Sequence, residues 1–245
     1  MSNTLCAVIN NQIVICWQAT LVKHSKPQVR DPDATKLRIL AAATQEFSKF
    51  GLGGARVDRI ATRAKSNKRM LYHYFGNKDD LFAITVENAY AEFREKEAAL
   101  QLDSLEPVAA MRRLVGFIWD YFIAHPEFIT LVNSENLHKA KHLKTSKRNT
   151  DMSRKFVARM QALLSRGETC GVFRQGLDPV QVNISIAAIA YYYLTNQYTG
   201  SIVFERDLMT KPALAARLTF NTDTTLRMVC TADEIARLEK SGGLK

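Results

Sequence analysis

From Asp33 onward, apolar residues recur at helical spacing almost without interruption, and the chain is predicted to be all-α, with about nine helices. Leu37, Leu40, Ala41, Thr44, Phe47 and Phe50 form one apolar stripe on a first helix. Asp33 is placed to cap it, and Gly51 to end it at the position after the C-cap. A short second helix turns Val57, Ile60, Ala61 and Ala64 inward, and a third runs from about Lys68 to Phe75. Gly76-Asn77 breaks the chain, and Asn77 is placed to cap a fourth helix from Lys78 to about Leu100. Pro107 opens a fifth, with Met111, Leu114, Val115, Ile118 and Phe122 on its inner side, and Pro126 precedes a sixth that reaches about His138. A seventh covers roughly Asp151 to Thr169, and Asp178-Pro179 starts an eighth whose run from Ile184 to Leu194 is apolar nearly all round. The ninth follows Lys211-Pro212 to about Val229, and a short amphipathic helix closes the chain.

The first thirty residues depart from this pattern. Their short alternating runs suit a strand, with no second strand-like region to pair with it, so residues 1–30 are expected to be a loosely packed extension, or to lie ahead of the true start. Residues 31–78 are then expected to form one domain and 79–245 a second. No apolar run is long enough to span a membrane, and the first twenty residues, without a basic start or a small-residue cleavage site, are not expected to act as a secretory leader. The four cysteines, at 6, 16, 170 and 230, form neither a CxxC pair nor a zinc-ligand cluster, so no metal or cofactor is expected. The 245 residues carry a formal charge of +10, which favours a polyanionic partner. A cytoplasmic protein that works on nucleic acid is the reading these features suit. No GxSxG, HExxH, P-loop or GxGxxG is present, which argues against an enzyme.

Residues 57–75, VDRIATRAKSNKRMLYHYF, have the size of a helix-turn-helix. Ile60, Ala61, Ala64 and Leu71 would lock the two helices together, with Ala61 small where they cross. Asn67 caps the second helix, whose first turn presents Lys68, Arg69 and Met70 to a major groove. Lys or Arg there donates to guanine O6 and N7. Arg56, Tyr72, His73, Tyr74 and Lys78 are candidates for the phosphate and sugar contacts that fix register, Lys78 at a helix N-terminus whose amides also attract anions.

At these residues the chain resembles the TetR family of bacterial regulators. The resemblance covers about Lys36 to Leu81. It rests on Phe47-Ser48-Lys49-Phe50-Gly51, Val57-Asp58-Arg59-Ile60-Ala61, Leu71-Tyr72-His73-Tyr74-Phe75 and Lys78-Asp79-Asp80-Leu81. It implies a three-helix DNA domain, a helical ligand-binding body and a dimer made by the last two long helices. Two positions depart from the family pattern: Lys65 stands where the turn usually has Gly, and Ser66 where it is usually apolar.

If that plan holds, Trp119, Phe122, Phe128, Asn133, Glu135, Asn136 and His138 are the candidate lining of a small-molecule site, since polar groups set among aromatics orient a ligand. The segment from Asn133 to His138, after His125-Pro126-Glu127-Phe128, is similar to regulators of nitrogen-compound and pyrimidine catabolism. The basic stretch from Lys139 to Arg148, with five Lys/Arg and no acid, is expected to be a solvated loop, with DNA or an anionic ligand as other occupants. Helix eight has no polar face, so Ile184, Ile186, Ile189, Tyr192 and Tyr193 are the candidate dimer surface. Together these features predict a ligand-responsive repressor that binds a palindromic double-stranded operator as a homodimer. An activator or co-ligand-dependent regulator on the same fold, and a nonspecific architectural DNA binder, are the alternatives.

Overall fold

A computed structural model describes residues 31–244, together with the strands Val8–Ile9 and Gln12–Ile13. Those two strands pair antiparallel, Val8 opposite Ile13 and Ile9 opposite Gln12, so the strand expected to lack a partner finds one four residues on. Hairpin partners can be this close because a tight turn needs few residues. The rest of residues 1–30, with Cys6 and Cys16, lies outside the described residues, and so does their expected loose attachment.

Helix α1 (Pro32–Gly54) begins one residue before Asp33, so Asp33 stands in its first turn where a cap was expected, and the helix turns Thr35, Ile39, Ala42, Ala43, Glu46 and Phe47 inward. Of the expected stripe only Phe47 is fully buried, while Leu37 is 67% and Phe50 40% exposed. The inward face is rotated from the predicted one because α1 carries apolar residues on adjoining faces, and packing against two helices selects one of them. Gly51 breaks the helix as expected, with φ 63° and ψ 178°, and a last turn re-forms after it.

Helices α2 (Val57–Arg63) and α3 (Lys68–Phe75) bury Ile60, Ala61, Leu71 and Phe75 against α1. The turn between them is a Schellman motif. The Lys65 amide donates to Thr62 O at 3.1 Å and the Ser66 amide to Ala61 O at 2.9 Å. Lys65 takes the left-handed position, φ 50°, that glycine usually fills. Ser66 lacks the apolar side chain that often accompanies the motif, and the turn is held by these backbone hydrogen bonds and by the buried Ala64 just before it.

Helix α4 (Lys78–Ala98) begins with a reciprocal capping box. Asn77 Oδ1 accepts from the Asp80 amide at 3.0 Å, and Asp80 Oδ2 accepts from the Asn77 amide at 3.1 Å. The body follows with α5 (Pro107–Ala124), α6 (Pro126–Leu137), α7 (Lys147–Thr169), α8 (Pro179–Thr195), α9 (Gln197–Val203), α10 (Lys211–Val229) and α11 (Ala232–Lys240). The described residues thus hold eleven α-helices where about nine and a closing tail were expected. The unforeseen one is α9, whose seven residues are too few to show a period. Helix α5 buries Met111, Leu114, Val115, Ile118 and Phe122, as its pattern predicted.

The apolar interior forms two clusters. One gathers Ile39, Phe47, Ile60, Leu71, Phe75, Leu81, Phe82 and Val86 from α1 to α4, together with Leu131 of α6. The other fills the body, from Phe93 of α4 to Leu238 of α11. Ala89 and Tyr90 of α4 pack against both. No helix among the described residues is long and apolar enough to cross a membrane.

The left-handed lysine has a measurable consequence. Lys65→Gly relieves about 1–2 kcal/mol of backbone strain and gives back about 0.5–1 kcal/mol in unfolded-state entropy. The thermal midpoint should therefore rise by about 1–3 °C, while Lys65→Ala, which keeps a Cβ, should leave it nearly unchanged; differential scanning calorimetry of both variants checks this.

Candidate nucleic-acid interface and effector site

The recognition helix is set by local chemistry. Asn67 Oδ1 accepts from the Met70 amide at 2.9 Å, which satisfies an orphan donor and fixes where α3 starts. Leu71 and Phe75 face the core, so Lys68, Arg69, Tyr72 and His73 face outward, with Met70 half-buried. Arg56 and Asn67 are also exposed. Lys68 Nζ is held 2.6 Å from Asp58 Oδ1. Both partners are solvated, so the pair contributes about 0–1 kcal/mol, less than the roughly 1–3 kcal/mol of a good base contact. Lys68 can therefore exchange Asp58 for a base at little cost. Tyr74 is half-buried, packs against the head's apolar cluster and has the Lys36 ammonium 5.7 Å from its ring centre. Lys78 Nζ donates to Ala55 O at 3.2 Å, which anchors the start of α4 to the turn before α2.

Under this surface sits a buried carboxylate absent from the expected site. Glu46 accepts from Arg59 Nε at 2.6 Å and from the Arg56 amide at 3.0 Å, and Arg63 lies 3.9 Å away. Burial alone pushes its pKa up, but the Arg59 and Arg56 hydrogen bonds and the charges of Arg59 and Arg63 outweigh it and hold the pKa below the ordinary value. Arg59 also donates to Gly54 O at 3.0 Å, so one ion pair ties α1 to α2.

The basic stretch after α6 is a strap along α4 where a solvated loop was expected. It forms a 3-10 turn, Leu143–Thr145, and α7 begins at Lys147. Lys141 Nζ lies 3.2 Å and His142 Nε2 3.6 Å from Asp79 Oδ1. The Lys141 hydrogen bond is the main reason the Asp79 pKa is lowered; burial opposes it and His142 adds to it. Ser146 Oγ donates to Glu87, and Arg148 Nη1 reaches Asn88 Oδ1 at 3.1 Å. Acids on the facing helix pair with Lys141 and Arg148, which the composition of the stretch could not reveal, while all five of its Lys/Arg side chains stay exposed as expected.

Glu135 and His142 lock the strap. Glu135 is buried and accepts from the His142 and Leu143 amides at 2.8 and 3.0 Å. His142 Nδ1 lies 2.6 Å from Glu135 Oε2. The expected lining is therefore divided. Glu135 is spent on the strap, the exposed Asn136 turns its amide back to Val132 O at 3.0 Å, and exposed His138 contacts Ser134 O at 2.7 Å. Trp119 packs edge-on against Tyr193, with 5.6 Å between rings.

Phe122, Phe128 and Asn133 do come together, in company the sequence did not indicate. Phe128 stacks on Phe93 at 5.3 Å and meets Tyr90 edge-on at 5.4 Å. Tyr191 of α8 donates its hydroxyl to Asn133 Oδ1 and meets Phe122 at 6.3 Å. Arg94 of α4 lies against Phe156 at 3.5 Å and Phe93 at 5.1 Å. Its Nε and Nη1 are buried without a hydrogen-bond partner. Desolvation brings the Arg94 pKa down to about 10, against the opposing charge of Glu97 and Tyr90. The nearby buried carboxylate, Glu97, is bound by Arg159 through both oxygens. Tyr90 and Arg94 are one helical turn apart on α4, a spacing that is visible in sequence but uninformative until the facing helices are placed.

The candidate dimer residues also separate. Ile184 is 56% and Tyr192 63% exposed, whereas Ile186 is buried in its own chain's core and cannot meet a partner. Two positions along a helix rotate a side chain by about 200°, so Ile184 and Ile186 cannot share a face. Ile189 is half-buried, and Tyr193 is turned to donate to Leu208 O at 2.7 Å.

An asparagine-capped recognition helix that presents Lys68 and Arg69 from a tri-helical head, above a large helical body, defines a DNA-binding transcriptional regulator. The chain belongs to the TetR family. Residues 39–84 match the family model for bacterial regulatory proteins of the tetR family, and residues 107–225 match that for the tetracyclin repressor-like C-terminal domain. The chain is 40% identical over 200 residues to the HTH-type transcriptional repressor NicS of Pseudomonas putida, covering 82% of this chain and 94% of that protein. It is 31% identical over 94 residues to the HTH-type transcriptional regulator RutR of Escherichia coli, covering 38% of this chain and 44% of RutR. Among solved structures, SCO4942 from Streptomyces coelicolor superposes with a TM-score of 0.62 at 26% identity, over 80% of this chain and 98% of that one.

The Glu46 pair makes stability depend on pH. Because its folded pKa is depressed, its contribution is complete above the ordinary carboxylate pKa and disappears as pH falls through the folded value. Glu46→Gln should cost about 3 kcal/mol at pH 7, the low end for a broken buried pair because Arg59 is partly solvated, and should flatten the loss of stability below pH 5; urea unfolding at pH 7 and pH 4 measures both.

Proposed function

We propose that this regulator is a ligand-responsive repressor that holds a palindromic operator as a homodimer in the cytoplasm. The observation that carries this reading is the 40% identity to a transcriptional repressor across both the head and the body. Arg69 and Lys68 read bases in the major groove, with Met70 beside them. Arg56, Asn67, Tyr72, His73 and Lys78 hold the backbone, and Tyr74 supports them from below. Two such heads would lie roughly 34–36 Å apart, one turn of duplex.

The physical route from body to head runs along α4. Its first half belongs to the head's core and its second half to the body's, and the strap grips it at Asp79, Glu87 and Asn88. A ligand that prefers a different tilt of α4 weakens operator binding by as much as it prefers that tilt, and DNA weakens the ligand equally.

For the dimer, the outward apolar residues of α8 and α10 supply the contact, with Ile184, Tyr192 and Phe220 at its centre. Ile184→Glu with Tyr192→Glu should convert dimer to monomer in analytical ultracentrifugation while leaving the helical circular dichroism intact.

Gel-shift titration on the DNA upstream of the protein's own gene tests operator binding. Arg69→Ala should weaken it by about 1–3 kcal/mol and relax preference at one base pair per half-site, whereas Lys78→Ala should weaken all sequences alike and lower the salt slope by about 1. No preference over competitor DNA at low salt, without ligand, would refute the repressor reading.

A further inference from the structure

We propose that the effector is a small planar monoanion, an aromatic carboxylate, and that Arg94 is the residue that binds its charge. This rests on the reading of the body as an effector domain and specifies its chemistry.

The Arg94 guanidinium carbon lies over two rings, 3.5 Å from the centre of Phe156 and 5.1 Å from that of Phe93. That leaves only its in-plane N–H groups to bond. Nε and Nη1 are buried without partners, so donors are unmet on both the side-on and the end-on edge of the fork. Each of these edges can clasp a carboxylate.

The local charge does not balance. Arg94 and Arg159 share one buried acid, Glu97, and Arg159 already holds both its oxygens. Glu135, the next carboxylate felt by neighbouring Tyr90, is taken by the strap. One positive charge therefore remains, which suits a ligand with one negative charge. A buried donor without an acceptor is rare in native proteins and calls for a specific cause, and stacking on Phe156 satisfies the faces of the guanidinium but none of its N–H bonds.

The walls give the rest of the ligand. Phe93, Phe128 and Tyr90 form a continuous aromatic surface next to Arg94, which favours a flat apolar body. Tyr191 and Asn133 already bond to each other there, a polar pair able to turn toward a ring substituent. Arg94 stands on α4, so an anion drawn to it acts directly on the helix that carries the head.

The test uses the full chain with benzoate, phenylacetate, 3-phenylpropionate and 2-naphthoate, each beside its neutral amide. Thermal shift and isothermal titration are run without DNA, and gel shift on the upstream DNA is run separately. At least one acid should raise the thermal midpoint and release the DNA, with its amide doing neither. Arg94→Met should keep operator binding and lose affinity for that acid by about tenfold or more, while Arg94→Lys should retain part of it. If Arg94→Met does not fold, Arg94→Gln replaces it. Equal binding of acid and amide, unchanged affinity in the uncharged variant, or no response to any of the four acids overturns the proposal. Failure of the ligand-free protein to bind DNA refutes the repressor reading instead, and the titrations without DNA still decide the role of Arg94.

Discussion

Helix α4 is shared between two hydrophobic cores, and the rest of the structure depends on that sharing. Phe82 near its start packs edge-on against Phe47 of the head, with 5.1 Å between rings, and against His142 of the strap at 5.0 Å. Phe93, three turns further on, is the centre of the aromatic body. Each such ring, fully buried, contributes roughly 1.5–3 kcal/mol, several times an exposed ion pair. The head cannot tilt without carrying α4 with it, and the body cannot repack around Phe93 without moving the same helix.

Polar groups then decide which arrangement the apolar contacts adopt. Glu46 joins α1 to α2, Glu97 joins α4 to α7, and Glu135 folds the strap back on α6. Each is a carboxylate inside the protein with cationic or amide donors around it, as burial of a charge requires. Arg94 departs from this pattern, with Nε and Nη1 buried without a hydrogen-bond partner. Left-handed turns at Lys65, Lys139 and Ala140 accept backbone strain where local backbone hydrogen bonds close the chain.

Much of the fold was legible along the chain. Asn67, Asn77 and Asp178 cap the helices they were expected to cap, because an N-cap bond is made within three residues. The inner faces of α2 and α5 were also readable, since each carries a single apolar stripe. The face of α1 was not, because Leu37 and Phe50 lie on an equally apolar side that packing leaves outside. The candidate lining shows the same limit: Phe122, Phe128 and Asn133 converge, but Glu135 is drawn away by His142, which sequence treated as part of a loop.

The sequence by itself determined most of the helices, the caps at Asn67, Asn77 and Asp178, the left-handed lysine in the turn and the outward Lys68 and Arg69, because these follow from interactions within a few residues. Only the tertiary structure decided that the basic stretch straps α4, that Ile186 faces inward while Ile184 does not, and that Arg94 Nε and Nη1 are buried without a hydrogen-bond partner. Those outcomes depend on which side chains arrive from distant helices, and charge balance inside a protein is a property of neighbours in space.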